Sequence, residues 1–107
     1  MKILSFEVES DGTRFIPEAT LTATLKLRVP RGSSVHLHRA PEQIGYKALV
    51  LELHATIPNP GRLILNTEER ELTYTETFPG ARTSQIERVI VKDTTNHIIA
   101  EQRVFWM

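Results

Sequence analysis

The sequence predicts an all-β protein, an antiparallel β-sandwich of seven to eight short strands. Three observations indicate this class: β-favouring residues are abundant, apolar and polar residues alternate, and turn signals recur roughly every ten residues. Nine Ile, seven Val and twelve Thr are spread over all 107 residues, and these side chains suit a pleated, half-buried surface. No segment has the periodicity of an amphipathic helix. We expect one domain, residues 1–107.

The first two strands show the clearest alternation. Near the start of the chain, Leu4, Phe6 and Val8 are predicted to share one strand face. From Ala19 to Pro30 the alternation is strict, and one face carries Leu21, Ala23, Leu25, Leu27 and Val29. Only an extended strand places residues with a period of two on one face, so each strand is expected to have one buried and one solvated side.

The middle of the chain contains the least regular segment, residues 31–46. A short edge strand is predicted at Val35–Arg39, because Pro41 follows it and proline cannot donate to a sheet ladder. Regular alternation then returns, and the predicted inward residues are Leu49, Leu51, Leu53, Ala55 and Ile57.

Four further strands are predicted in the second half, at Arg62–Thr67, Leu72–Phe78, Gln85–Lys92 and His97–Trp106. Glu68–Glu71 is expected to be a connection. The last two strands flank Asp93–Asn96, a loop of the length that joins hairpin strands. Alternation along the final strand predicts that its core residues are Ile98, Ala100, Val104 and Trp106.

A proline-containing segment, Gly12–Glu18, leads into the long Thr- and Leu-rich strand. It resembles the start of many immunoglobulin-like modules, and the resemblance implies an immunoglobulin-like sandwich without assigning a function. A small β-barrel is the alternative, because a period of two does not distinguish one closed sheet from two packed sheets.

The charge and cysteine content exclude several classes of function. Thirteen Lys and Arg balance thirteen Asp and Glu, so neither nucleic acid nor a membrane surface is an expected partner. The absence of cysteine excludes disulfides, thiolate metal sites and a cysteine nucleophile. Polar residues interrupt the N-terminal apolar stretch, which therefore lacks the pattern of a signal peptide, and a cytoplasmic location is expected.

The pair His36 and His38 is the most suggestive site for chemistry. Residues two apart on a strand point to the same side, where both imidazoles can share a metal. With Glu42, the spacing resembles the first metal-binding motif of cupins, which are small β-barrels with a further histidine ligand downstream. The resemblance implies His36, His38 and Glu42 as ligands of a divalent metal, with His54 or His97 as the remaining ligand.

The second cupin motif is absent from the sequence. In the competing interpretation no cofactor is bound, and His36 and His38 are outward residues of an edge strand whose Val35 and Leu37 face inward.

Catalysis receives little support from the sequence. No serine lies in a nucleophile motif and no glycine-rich phosphate loop is present, so an enzyme is not expected. Phe105 is predicted to face outward beside Met107, and both, with Tyr46, are candidates for contact with a partner. The leading hypothesis is a non-enzymatic interaction or structural module that associates with itself or another protein. The alternative is a cupin-like metal-binding protein that uses His36 and His38.

Overall fold

The computed structural model confirms the all-β prediction. It describes residues 1–11, 18–43, 47–58, 66–79 and 86–105. The described residues form seven strands: β1 (Lys2–Asp11), β2 (Glu18–Pro30), β3 (Ser34–Arg39), β4 (Ala48–Thr56), β5 (Thr67–Pro79), β6 (Arg88–Lys92) and β7 (Ile98–Arg103). Across these ranges no helix is long and apolar enough to cross a membrane.

The strands form two sheets that enclose the core. One sheet has three strands in the order β1-β2-β5, and the other has four in the order β3-β4-β6-β7. Since the described strands do not join the two sheets into one closed sheet, the sandwich is confirmed and the barrel alternative is wrong.

One strand pair departs from the predicted antiparallel arrangement. β4 and β6 run parallel, with Ala48 opposite Arg88 and Glu52 opposite Lys92. Parallel neighbours cannot be joined by a tight hairpin. Here the chain leaves the four-stranded sheet after β4, contributes β5 to the other sheet, and returns as β6.

The predicted alternation of β2 is confirmed in full. Its inward residues are all at most 2% exposed, namely Ala19, Leu21, Ala23, Leu25, Leu27 and Val29. Leu49, Leu51 and Leu53 of β4 face them from the second sheet, together with Val89 and Val91 of β6. Full burial of each Leu or Val stabilises the fold by about 1.5–3 kcal/mol, so these three strands supply most of the core.

The predicted inward face of β1 is wrong at Leu4. The pairing of β1 with β2 shifts register between Ile3 and Ser5. Ile3 therefore packs against the core, as Phe6 and Val8 do, while Leu4 is 39% exposed. An extra residue in one strand reverses the alternation at that point.

A second irregularity changes the face of β7. Val91 lies opposite Ala100 but Lys92 lies opposite Ile98, so Ile99 is the extra residue. Ile99 and Ala100 both pack against the core, and Ile98, which was predicted to face the core, is 57% exposed. Val104 is buried, as predicted.

Two further predictions need correction. Residues 68–71 are not a connection but the first part of β5, paired with β2. The side chain of Glu69 there accepts a 2.9 Å hydrogen bond from Arg28, the residue opposite. Ala55 and Ile57, which were predicted to face inward, are exposed.

Three predictions concern residues outside the described ranges. They are the core position of Trp106, residues 62–65 of the predicted strand Arg62–Thr67, and the proline-containing segment at 12–17 that carries the immunoglobulin-like resemblance.

Candidate functional site

The His36–His38 pair lies on the outer face of the four-stranded sheet, at its edge. β3 is an edge strand, as predicted. Val35 is buried and Leu37 packs against the core, whereas His36 and His38 are exposed. The local pattern of alternation is therefore sufficient to orient both imidazoles.

The pairing of β3 with β4 adds a third histidine to this surface. His54 lies directly opposite His36, and Glu52 lies opposite His38. The ring centroids of His36 and His38 are 6.0 Å apart, and those of His38 and His54 are 5.2 Å apart. We call His36, His38 and His54 the imidazole cluster.

Two polar neighbours occupy one nitrogen on each of two rings. Nε2 of His54 lies 2.6 Å from Oε1 of Glu52, and Nε2 of His36 lies 3.1 Å from Oγ of Ser34. Sequence reasoning identified His54 as one of two candidates for a downstream ligand, but only the strand register shows which of the two lies beside the pair.

Glu42, the third predicted ligand, lies in the loop that follows β3. It lines a cavity of about 420 Å³ whose other lining residues include Val50, Glu52 and Lys92. The loop is held by Gln43, whose side chain bonds to the backbone N–H and carbonyl of Val50 at 2.9 Å each. As the side chains stand, the described part of the chain contains no group of three or more His, Asp or Glu arranged to hold a metal ion.

The predicted loop between β6 and β7 closes one side of this cavity. Oδ1 of Asp93 accepts hydrogen bonds from the backbone N–H groups of Thr95 and His97, at 2.9 Å each, and from the Thr95 hydroxyl at 2.8 Å. The backbone N–H of His97 contributes most to holding the pKa of Asp93 below its usual value. The carboxylate thus fixes the turn from within.

A polar cluster where the edge strand β3 lies beside β5 was missed by the sequence reasoning. Nη1 of Arg39 on β3 lies 2.9 Å from Oε1 of Glu76 on β5, so the bridge spans the two sheets. The Tyr74 hydroxyl donates to the same oxygen at 2.7 Å. Burial, and then this hydrogen bond, raise the pKa of Tyr74 to about 12. The sequence contained an indication of it, because Glu76 is separated from Leu72 and Phe78 by an even number of residues and therefore shares their inward strand face.

The exposed apolar residues that could contact a partner lie mainly on two neighbouring edge strands. β1 and β7 are each one of the two edge strands of their sheet and lie beside each other, and we call this side the β1–β7 seam. It carries Leu4, Ile98 and Phe105, and the outward position predicted for Phe105 is confirmed at 73% exposure. Tyr46 and Met107, the other predicted contact residues, lie outside the described residues.

Comparison of the chain with protein families, with characterised proteins and with solved structures finds no match.

Proposed function

We propose that this chain is a non-enzymatic β-sandwich module that works by protein contact and associates with itself through the β1–β7 seam. The observation that carries the proposal is the state of Phe105. The residue is 73% exposed, although its backbone is held by hydrogen bonds. The N–H of Val104 bonds to the carbonyl of Glu87 at 2.8 Å, and the carbonyl of Phe105 accepts a 2.5 Å bond from the Ser10 hydroxyl.

An exposed aromatic side chain on a fixed backbone is suited to anchoring an interface. Binding costs less conformational entropy when the anchor is held before contact, and aromatic residues contribute disproportionately to interface energies. Edge strands add unpaired backbone groups that can continue a sheet into a second molecule. Leu4 on β1 and Ile98 on β7 are further exposed apolar residues of the same two strands.

Light scattering over a concentration series tests the proposal. We expect a mass above 12.2 kDa that falls on dilution. Phe105→Ser should shift the protein towards monomer, whereas Ile57→Ser, which changes an exposed apolar residue just after β4, should not. A monomer up to high micromolar concentration, or equal effects of the two substitutions, would contradict it.

The alternative proposal is a metal-binding protein that uses His36 and His38. The described strands do not form the closed barrel of a cupin-like architecture. The metal ligands His36, His38 and Glu42 stay a prediction, as does the cytoplasmic location. Metal titration and cell fractionation would test them.

A further inference from the structure

We propose that the imidazole cluster, supported by Glu52, binds one divalent transition-metal ion such as Zn²⁺ on the outer face of the β3–β4 pair. This site is independent of the seam on the opposite edge of the sandwich. It also differs from the ligand set that the cupin resemblance implies, because Glu52 takes the place of Glu42 and the strand register selects His54 rather than His97.

The strand register brings the four side chains to the corners of a small quadrilateral. His36 faces His54 across the strands, and His38 faces Glu52. Residues two apart along a strand are separated by about 6.6–6.8 Å, and directly opposite Cβ atoms by about 4.5–5.5 Å. Because β3 and β4 are hydrogen-bonded along this segment, the backbone fixes these separations before any metal binds.

The ring separations are close to those of a shared metal. With zinc–nitrogen bonds of about 2.0–2.1 Å in tetrahedral geometry, two coordinating imidazoles have ring centroids about 5 Å apart. His38 and His54 are 5.2 Å apart and therefore meet this value. His36 lies 6.0 Å from His38 and the two rings are stacked with their planes 29° apart, so their nitrogens do not point at one ion as they stand. Rotation of the exposed His36 side chain must turn the ring and bring it about 1 Å closer.

The present hydrogen bonds are compatible with metal binding. An imidazole coordinates through one nitrogen and commonly donates its other N–H to a carboxylate or another polar group, which fixes the ring. Glu52 is placed to accept such a bond from His54, and the Ser34 hydroxyl lies within hydrogen-bond distance of His36. Three neutral nitrogen ligands suit Zn²⁺, Ni²⁺ or Cu²⁺ better than Mg²⁺ or Ca²⁺.

The chain contains a matched control for each ligand type. His97, the fourth histidine, lies in the β6–β7 turn, where its Nδ1 is 2.7 Å from the Thr95 hydroxyl. Glu42 is exposed in the loop after β3. Substitution of these two residues removes the same chemical groups without altering the proposed site.

Calorimetric titration of tag-free, chelator-treated protein with Zn²⁺ tests the proposal. We expect one ion per chain, with affinity reduced at least ten-fold in His36→Asn, His38→Asn and His54→Asn and within two-fold of the parent in His97→Asn. Glu52→Gln should weaken binding several-fold, and Glu42→Gln should not.

The absence of one-to-one binding would overturn the proposal. So would a His54→Asn variant no weaker than His97→Asn, or a larger effect of Glu42→Gln than of Glu52→Gln, which would favour the cupin-like set. Titration of the unsubstituted protein with paramagnetic Ni²⁺, followed by NMR, gives an answer that depends on no variant. Signal loss should centre on β3 and β4, and loss centred elsewhere would also reject the site.

Discussion

Removal of the Arg39 charge should destabilise the protein by about 1–2 kcal/mol, because its partner Glu76 is mostly buried. The Glu76 side chain is only 18% exposed, and Arg39 is 50% exposed. Oε2 of Glu76 is buried and has no hydrogen-bond partner among the described residues. Without Arg39, the carboxylate would keep only the hydrogen bond from Tyr74.

The magnitude follows from the intermediate burial of this pair. Exposed ion pairs are worth about 0–1 kcal/mol, whereas loss of one partner from a fully buried pair costs about 3–5 kcal/mol. Arg39→Met keeps the apolar stem and removes the charge, so its cost should fall between these limits, near the lower one. A loss of 1 kcal/mol lowers the midpoint of thermal unfolding by about 4–8 °C in a domain of this size, so this midpoint should fall by roughly 4–16 °C.

Urea unfolding of a double-mutant cycle measures this effect. Glu76→Gln keeps the shape and removes the buried charge, so Arg39→Met should cost less than about 0.5 kcal/mol in that background. The Arg88–Glu101 pair is the control. Its arginine is equally exposed, at 50%, and Nη1 of Arg88 lies 3.0 Å from Oε1 of Glu101, but this glutamate is 42% exposed. Arg88→Met should therefore cost less than about 0.5 kcal/mol. Equal costs for Arg39→Met with and without the Glu76 carboxylate would refute the reasoning.

Three further predictions concern single positions. Because the pKa of Tyr74 is raised in the folded state, the free energy of unfolding should fall as pH rises from about 10 to 12. Tyr74→Phe should reduce this slope when chemical denaturation is measured across that pH range, and an unchanged slope would contradict the prediction. Gly32 has a φ of 86°, and Gly32→Ala should cost about 1–2 kcal/mol from backbone strain rather than a clash, since a Cβ there would lie 3.5 Å from Cγ of Pro58; a neutral result in thermal unfolding would contradict this. Asp93→Ala should lower the thermal midpoint through loss of three hydrogen bonds. Because the pKa of Asp93 is lowered in the folded state, the parent should lose this contribution as pH falls below about 4, and an unchanged acid limb in the variant would contradict the assignment.

The fold class could be predicted because the faces of a strand are a local property. The alternation from Ala19 to Pro30 is strict, and every predicted inward residue on that strand is buried. Bulges remove this regularity without a clear local signal. Leu4 and Ile98 were therefore assigned to the wrong face, although both belong to apolar pairs whose other member does reach the core.

The candidate sites depended on non-local pairing to different degrees. The outward direction of His36 and His38 follows from their own strand. The position of His54 opposite His36 depends on how β3 pairs with β4, and the parallel pairing of β4 with β6 depends on a crossover through the other sheet. Such contacts join distant residues, and the periodicity of a single segment does not contain them.

Amide hydrogen exchange at two protein concentrations tests the central claim, self-association through the β1–β7 seam, most directly. Exchange reports which edge strand becomes covered, whereas a mass measurement reports only that association occurs. We expect exchange at β7 and around Phe105 to slow at high concentration while exchange at the other edges, β3 and β5, stays the same. Exchange that is independent of concentration, or protection confined to β3 and β5, would contradict the proposed interface.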